Sequence, residues 1–190
     1  MRIVAGRHRG RALQAPPGDA VRPTSDRARE ALFNILAHGR FGNGGDGPAY
    51  AGASVLDAFA GTGALGLEAL SRGAAEAFFL ESDRAALAVL RRNVEALGET
   101  ARARIVPADA TNPPRAQKPC GLVFLDPPYR GGLAQPALAA LAAAGWIAPD
   151  ALCVVEAAAK EDLAPVAGFD RLDDRTYGAA RLFFLRRRAG

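Results

Sequence analysis

The sequence predicts an α/β fold: a mostly parallel, doubly wound sheet with an antiparallel C-terminal hairpin, preceded by a small basic N-terminal β-hairpin and a helix. Three observations predict it. From residue 54 onward, short apolar runs alternate with helix-length amphipathic segments, as strands and their crossover helices do. One of these runs, 54–59, passes into a glycine loop at 60–63 and then into a helix reaching about Arg72. The last two runs, 169–176 and 180–187, are joined by the tight turn Tyr177-Gly178, so they pair antiparallel. A chain of 190 residues suits one core with a small appendage.

Residues 1–15 read as a hairpin in which Ile3 and Val4 pair with Ala12 and Leu13, across a tip containing Gly6, Arg7, His8, Arg9 and Gly10. Pro16, Pro17 and Gly18 form a linker. A helix then starts near Asp26, with Thr24 or Ser25 as its N-cap. Ala28, Ala31, Leu32, Ile35 and Leu36 recur at helical spacing and form its buried stripe, while Arg27 and Arg29 lie off that stripe. Residues 39–52 are glycine-rich and read as a loop. The division that follows is 1–40 as an RNA-binding appendage and 41–190 as the catalytic domain. Charge supports it: residues 1–40 hold eight arginines against three acids, whereas 41–190 hold 16 basic and 17 acidic groups. A basic arm on a near-neutral body is the electrostatic footprint of a phosphate-backbone surface. Its candidate contacts are Arg7, Arg9 and Arg11 on the hairpin and Arg22, Thr24, Arg27 and Arg29 around the helix.

Further strands are predicted at 75–80, 103–107, 122–125 and 152–156, with helices at 84–97 and 133–144. In such sheets ligands sit beyond the carboxyl ends of the strands. Asp57, Glu81, Asp109 and Asp126 all fall at or near those ends. The loop itself is contested between two cofactors. Gly61, Gly63 and Gly66 fit a dinucleotide fingerprint, with Glu81 near the place of its ribose-binding acid. Asp57, however, stands where an anionic pyrophosphate would pass, and it suits the amine and sulfonium of S-adenosylmethionine better. In that reading Asp57 faces the cationic end, with Phe59, Ala60, Gly61, Thr62 and Gly63 forming the loop. Glu81, beside Ser82, accepts the ribose hydroxyls; Asp109 and the Ala110 N–H read the adenine edge; Asp126 closes the site.

Asp126-Pro127-Pro128-Tyr129 carries the chemistry. Two prolines after a core strand stop the ladder and supply no backbone donors. They leave carbonyl acceptors rigidly beside a carboxylate, which suits the two N–H groups of an exocyclic base amine. Tyr129 is placed to stack on that base. D-A-F-A-G-T-G and D-P-P-Y resemble the motifs of class I methyltransferases acting on base amines. The resemblance then narrows. G-R-H-R-G-R-A-L, R-P-T-S-D-R-A-R-E-A-L-F-N-I-L, F-A-G-T-G-A-L-G-L-E-A-L-S-R-G-A, F-L-E-S-D, V-F-L-D-P-P-Y and Y-G-A-A-R-L together resemble the bacterial 16S rRNA (guanine-N2)-methyltransferase family of the RsmD type. That resemblance implies a Rossmann-like class I methyltransferase fold, S-adenosylmethionine as cofactor and a guanine N2 amine in small-subunit rRNA as target. It also implies that Arg22 and Thr24 lie near the mouth of the active site. The chain departs from the family at Thr62, where Ser is frequent, and at Ala179-Ala180, where a hydroxyl residue is common.

Competing functions each explain less. A DNA adenine-N6 or cytosine-N4 methyltransferase shares D-P-P-Y but needs more chain to read sequence and flip a base. An NAD-dependent oxidoreductase leaves D-P-P-Y and the basic arm unexplained, and a non-catalytic RNA-binding module leaves the acids unexplained. Cys120 and Cys153 lie in apolar runs and read as reduced core thiols, and His8 and His38 form no ligand cluster with them, so no metal is expected. No run of about 18 apolar residues and no signal-peptide pattern is present. The expectation is a cytoplasmic monomer whose partner is 16S rRNA, within a 30S subunit or assembly intermediate, with no membrane involvement.

Overall fold

The computed structural model describes residues 1–15, 26–38, 41, 47–128 and 132–189. Its centre is a seven-stranded sheet in the order β3-β2-β1-β4-β5-β7-β6. The strands are β1 (Ser54–Ala58), β2 (Glu76–Glu81), β3 (Ala103–Pro107), β4 (Cys120–Leu125), β5 (Ile147–Ala158), β6 (Phe169–Tyr177) and β7 (Ala180–Arg187). β3, β2, β1, β4 and β5 run parallel, and β7 enters antiparallel between β5 and β6. This is the mostly parallel sheet with an antiparallel edge that the sequence predicts. The chain order reverses at β1, so the crevice beyond β1 and β4 is the topological switch point where a ligand has room.

Helices cover both faces, as a parallel sheet requires. Among the described residues, α1 (Asp26–Ala37), α2 (Ala64–Ser71) and α3 (Arg84–Ala96) share one apolar cluster with Val55, Phe79 and Phe124. α4 (Ala134–Ala143) covers the opposite face, where Trp146 packs edge-on against Phe78. The N-terminal segment belongs to the first cluster through Ile3 and Leu13, and α1 through Leu32, Phe33 and Leu36. Phe33, outside the stripe read from the sequence, is fully buried between Tyr50 and Phe124. β4 and β5 both begin earlier than predicted. β5 passes through Pro149 and a positive-φ Asp150 (58°), and its register against β4 shifts there. Such a bulge keeps pairing where periodicity alone would stop it.

The N-terminal hairpin differs from the prediction. Arg2 bridges Ala12, and Ile3 exchanges hydrogen bonds with Arg11 and Gly10, two residues out of the predicted register. The ladder stops because the next two amides have another partner. Val4 and Ala5 donate to the two oxygens of Glu68 at 2.8 and 3.0 Å. Glu68 is fully buried in α2 and also accepts from Arg72 Nε at 2.7 Å. Arg29 completes this hub and corrects the sequence reading. It is 0% exposed, its Nε lies 3.6 Å from Glu68 Oε2, and its Nη2 donates to the Arg2 carbonyl, so it cannot reach RNA. An arginine off the apolar stripe is buried here because an equally buried carboxylate stands opposite it.

Removing one member of such a buried charged group is costly. Glu68→Ala is expected to lose about 3 kcal/mol of unfolding free energy in a denaturant titration. A loss below about 1 kcal/mol would mean that Glu68 behaves like an exposed pair.

Candidate active site

The site is assembled at the carboxyl ends of β1, β2, β3 and β4. Asp57 lies in β1 between Phe79 of β2 and Phe124 of β4 and is 1% exposed. Its Oδ2 accepts the Gly66 N–H at 2.8 Å, so it caps α2 from a neighbouring strand, where Gly63 at the N-cap has no side chain to do so. Burial pushes the Asp57 carboxyl well above the usual carboxylate range. The Gly66 hydrogen bond opposes that rise, and the Asp126 and Glu81 charges add to it. Three carboxyl groups therefore lie close enough to feel one another's charge, and a positive charge among them is favoured.

The glycine loop is held open towards the crevice beyond β1 and β4. Phe59 has φ 61°, a left-handed conformation rare for a bulky residue and typical of functional turns. Gly61 has φ 54°, and a Cβ there would meet nothing within 4 Å, so its backbone borders free space. Gly66 answers a different need. A Cβ on it would overlap the Phe79 ring and stand 3.2 Å from the Asp57 Cβ. The glycine lets α2 approach β1 closely enough for the Asp57 cap. Ala60 is anchored to Leu80 by its N–H at 3.0 Å. Thr62 turns inward, its hydroxyl 3.9 Å from Met1 Sδ, so its side chain faces the N-terminal segment.

Glu81 ends β2 with both oxygens engaged. Oε2 accepts the Gly61 N–H at 2.7 Å, and Oε1 accepts Ser82 and Asp83 N–H at 2.8 and 2.7 Å. It presents a fixed acceptor beside the loop. Asp109 forms a local turn with Thr111, accepting its N–H and hydroxyl at 2.8 Å each, and Ala110 beyond it is buried. Ser82 and Asp109, with Arg84, Leu87, Arg91, Pro107 and Ala108, line an open cleft of about 590 Å³ between α3 and the end of β3. Glu81 thus touches the glycine loop, the Asp57 and Asp126 carboxyls lie near it, and Asp109 lines the cleft at the end of β3. The acidic cluster could hold an amine and a sulfonium, Glu81 a ribose, and the cleft at Asp109 an adenine.

Asp126 follows β4, its N–H 3.4 Å from the Ala58 carbonyl. Pro127 is buried and Pro128 exposed; both line a second hollow of about 200 Å³, with Glu156 and Ala157 of β5, Leu133 and Ala134 at the start of α4, and Leu163. Arg22, Thr24 and Tyr129 lie outside the described residues. On the N-terminal segment, Arg7 and His8 meet the buried Glu99 at 2.5 and 2.6 Å, and Arg11 donates to the Ala96 carbonyl at 2.5 Å. Arg9 and Arg27 are exposed. The hairpin tip therefore lies on the end of α3, and part of its charge is used there. Cys120 and Cys153 are buried; burial pushes the Cys120 thiol up to about 12 and Cys153 higher still, so neither is a nucleophile. Sequence reasoning missed Glu68, Glu99 and Asn93, three buried polar side chains whose partners lie far away in the chain. Glu68 and Asn93, polar on the buried faces of α2 and α3, offer that much local signal, and Glu99, in the turn after α3, offers none.

This sheet order, with acids at four strand ends around a glycine loop, defines an S-adenosylmethionine-dependent methyltransferase of class I. The comparisons agree. Ribosomal RNA small subunit methyltransferase D of Escherichia coli K12 is 44% identical over 168 residues, covering 87% of this chain and 79% of that protein. Its Haemophilus influenzae counterpart is 35% identical, covering 94% and 89%. The solved structure of the Escherichia coli yhhF protein superposes with a TM-score of 0.83 at 39% identity, over 100% of this chain and 99% of that one. The family model described as conserved hypothetical protein 95 matches residues 1–186, and the chain belongs to that family.

Gly66→Ala tests the close approach of α2 to β1. It should cost about 2 kcal/mol by overpacking against Phe79, read as a lowered unfolding midpoint. An unchanged midpoint would show that α2 can retreat without loss.

Proposed function

We propose that the protein transfers a methyl group from S-adenosylmethionine to the exocyclic N2 amine of a guanine in 16S rRNA. The observation that supports this reading is that Asp126-Pro127-Pro128 follows β4, the strand paired with β1, and that the Asp126 charge reaches the buried Asp57 carboxyl. Asp57 receives the cationic end of the cofactor, because a carboxyl held above its usual range by burial becomes an anion most readily beside a cation. Glu81 takes the ribose hydroxyls, and Asp109 with the Ala110 N–H takes the adenine edge. Bound there, S-adenosylmethionine supplies a methyl group activated by a sulfonium.

The rest is done by the chain. The amine of guanine is a poor nucleophile because its lone pair is shared with the ring. The Asp126 carboxylate and the Pro127 carbonyl accept its two N–H groups, fix the nitrogen and favour a pyramidal geometry in which the lone pair stands out of the ring plane; as that nitrogen takes the methyl group from the sulfonium, it sheds one of those protons through the Asp126 carboxylate to solvent. Positioning and preorganised acceptors supply most of such catalysis. Tyr129 stacks on the base. Residues 1–40 act as the RNA-facing part: exposed Arg9 and Arg27, the outer faces of Arg7 and Arg11, and Arg22 and Thr24 contact phosphates. So small an arm fits a monomer acting in the cytoplasm on a 30S particle, where ribosomal proteins complete the docking surface.

Labelled S-adenosylmethionine offered with 30S particles from a strain lacking this gene should yield N2-methylguanosine on nucleoside analysis. Label on adenine or cytosine would overturn the guanine target. Asp126→Ala should lower transfer by at least about a thousandfold while leaving cofactor affinity within about threefold, if it serves the amine and not the cofactor. Loss of cofactor binding in that variant would instead make Asp126 a cofactor ligand.

A further inference from the structure

Asn93 occupies a place that neither packing nor the proposed chemistry accounts for. It lies on the inner face of α3, is 1% exposed, and joins two segments remote from it in sequence. Its Oδ1 accepts the Gln14 N–H at 2.8 Å. Its Nδ2 donates to the Gln14 carbonyl at 3.1 Å and to the Thr62 carbonyl at 3.0 Å. One acceptor meets an N–H and one NH2 meets two carbonyls, so the partners themselves fix the amide orientation. Thr62 is the residue between Gly61 and Gly63, whose φ values are 54° and 80°. Gln14 closes the N-terminal segment, three positions after Arg11.

A glycine loop is adaptable, and ordering it costs conformational entropy. Asn93 removes part of that freedom by holding the inward-facing carbonyl of the loop. Apart from the Thr62 hydroxyl, 3.9 Å from Met1 Sδ, side chains hold the N-terminal segment away from the loop: Glu68 on Val4 and Ala5, Ser71 on Ala5 and His8, Glu99 on Arg7 and His8. Among the described side chains, Asn93 is the one that hydrogen-bonds both the segment and the loop backbone.

We propose that Asn93 is a positioning residue that sets the glycine loop for the cofactor through the Thr62 carbonyl and links that setting to the N-terminal segment through Gln14. RNA on the segment and cofactor on the loop then strengthen each other's binding, by the same factor in each direction. The linkage rests on the reading of residues 1–40 as RNA-facing; the positioning of the loop does not.

Asn93→Asp tests it, since aspartate keeps the size and an acceptor for Gln14 N–H but offers no donor to either carbonyl. Ser71→Ala is the control: its Oγ accepts His8 N–H at 3.0 Å and donates to the Ala5 carbonyl at 2.6 Å, away from the loop. Cofactor Kd is measured with and without 30S particles, alongside KM, kcat and the unfolding midpoint. Asn93→Asp loses both donor bonds, and the one to the loop carbonyl should raise cofactor Kd and KM about tenfold. Its kcat at saturating cofactor should stay within about twofold. Particles should tighten cofactor binding to the wild type and not to Asn93→Asp. Ser71→Ala should lower the midpoint and leave cofactor KM unchanged. The proposal is overturned by an unchanged Kd in Asn93→Asp, by an equal rise in both variants, or by particles that leave wild-type affinity unaltered. A wild type that leaves the particles unmethylated overturns the substrate reading instead, and the Kd without particles still decides the role of Asn93.

Discussion

The structure depends on a carboxyl group kept where a carboxylate is costly. Asp57 lies inside the sheet, and burial drives its titration well above the ordinary range. What holds it there is the Gly66 N–H, a free donor in the first turn of α2 at the positive end of that helix. This single bond ties the central strand to the helix after it and needs a glycine at 66 so that the two can meet. It also leaves the other carboxylate oxygen available to the crevice. Asp126 and Glu81 raise the cost of ionising Asp57 further, and a cationic ligand relieves that strain. The same residue therefore serves as helix cap and as ligand attractor, at some expense of the unliganded state.

A second set of constraints fixes the N-terminal segment. Glu68 and Glu99 are buried acids, and each gathers main-chain amides or guanidinium groups from residues more than sixty positions away. The basic character of the segment is thus divided. Arg29 and part of Arg7 and Arg11 are used in holding the segment on the body, while Arg9 and Arg27 face solvent. A count of arginines overstates the charge free for a polyanion, because an ion pair formed inside the protein contributes little field outside it.

Much of the fold was legible in the sequence, for reasons that remain local. Residues 54–66 announce strand, glycine loop and helix through a short apolar run and turn-forming glycines, and β2, β3, α3 and the terminal hairpin follow the same logic. The acids at the strand ends were legible because a doubly wound sheet puts ligands there. What was not legible depends on partners distant in the chain. Arg29 reads as a surface residue until Glu68 is placed opposite, and the hairpin register is decided by Glu68, not by the alternation of Ile3 and Val4. The early starts of β4 and β5 follow from their pairing across a bulge at Cys120 and Leu122. Asn93 looks like an ordinary polar position in an amphipathic helix until Gln14 and Thr62 are brought to it.

The central claim is that the buried Asp57 selects a cationic cofactor. Calorimetry of S-adenosylmethionine binding in buffers of different ionisation enthalpy tests it most directly. The carboxyl titrates above the usual carboxylate range in the free protein, and a cation beside it favours the anion. Binding should therefore release protons as the pH is lowered through that raised range, and affinity should fall with the pH. Asp57→Asn should bind weakly and release none of these protons. Binding without proton release in the wild type, or unchanged affinity in Asp57→Asn, would contradict the account.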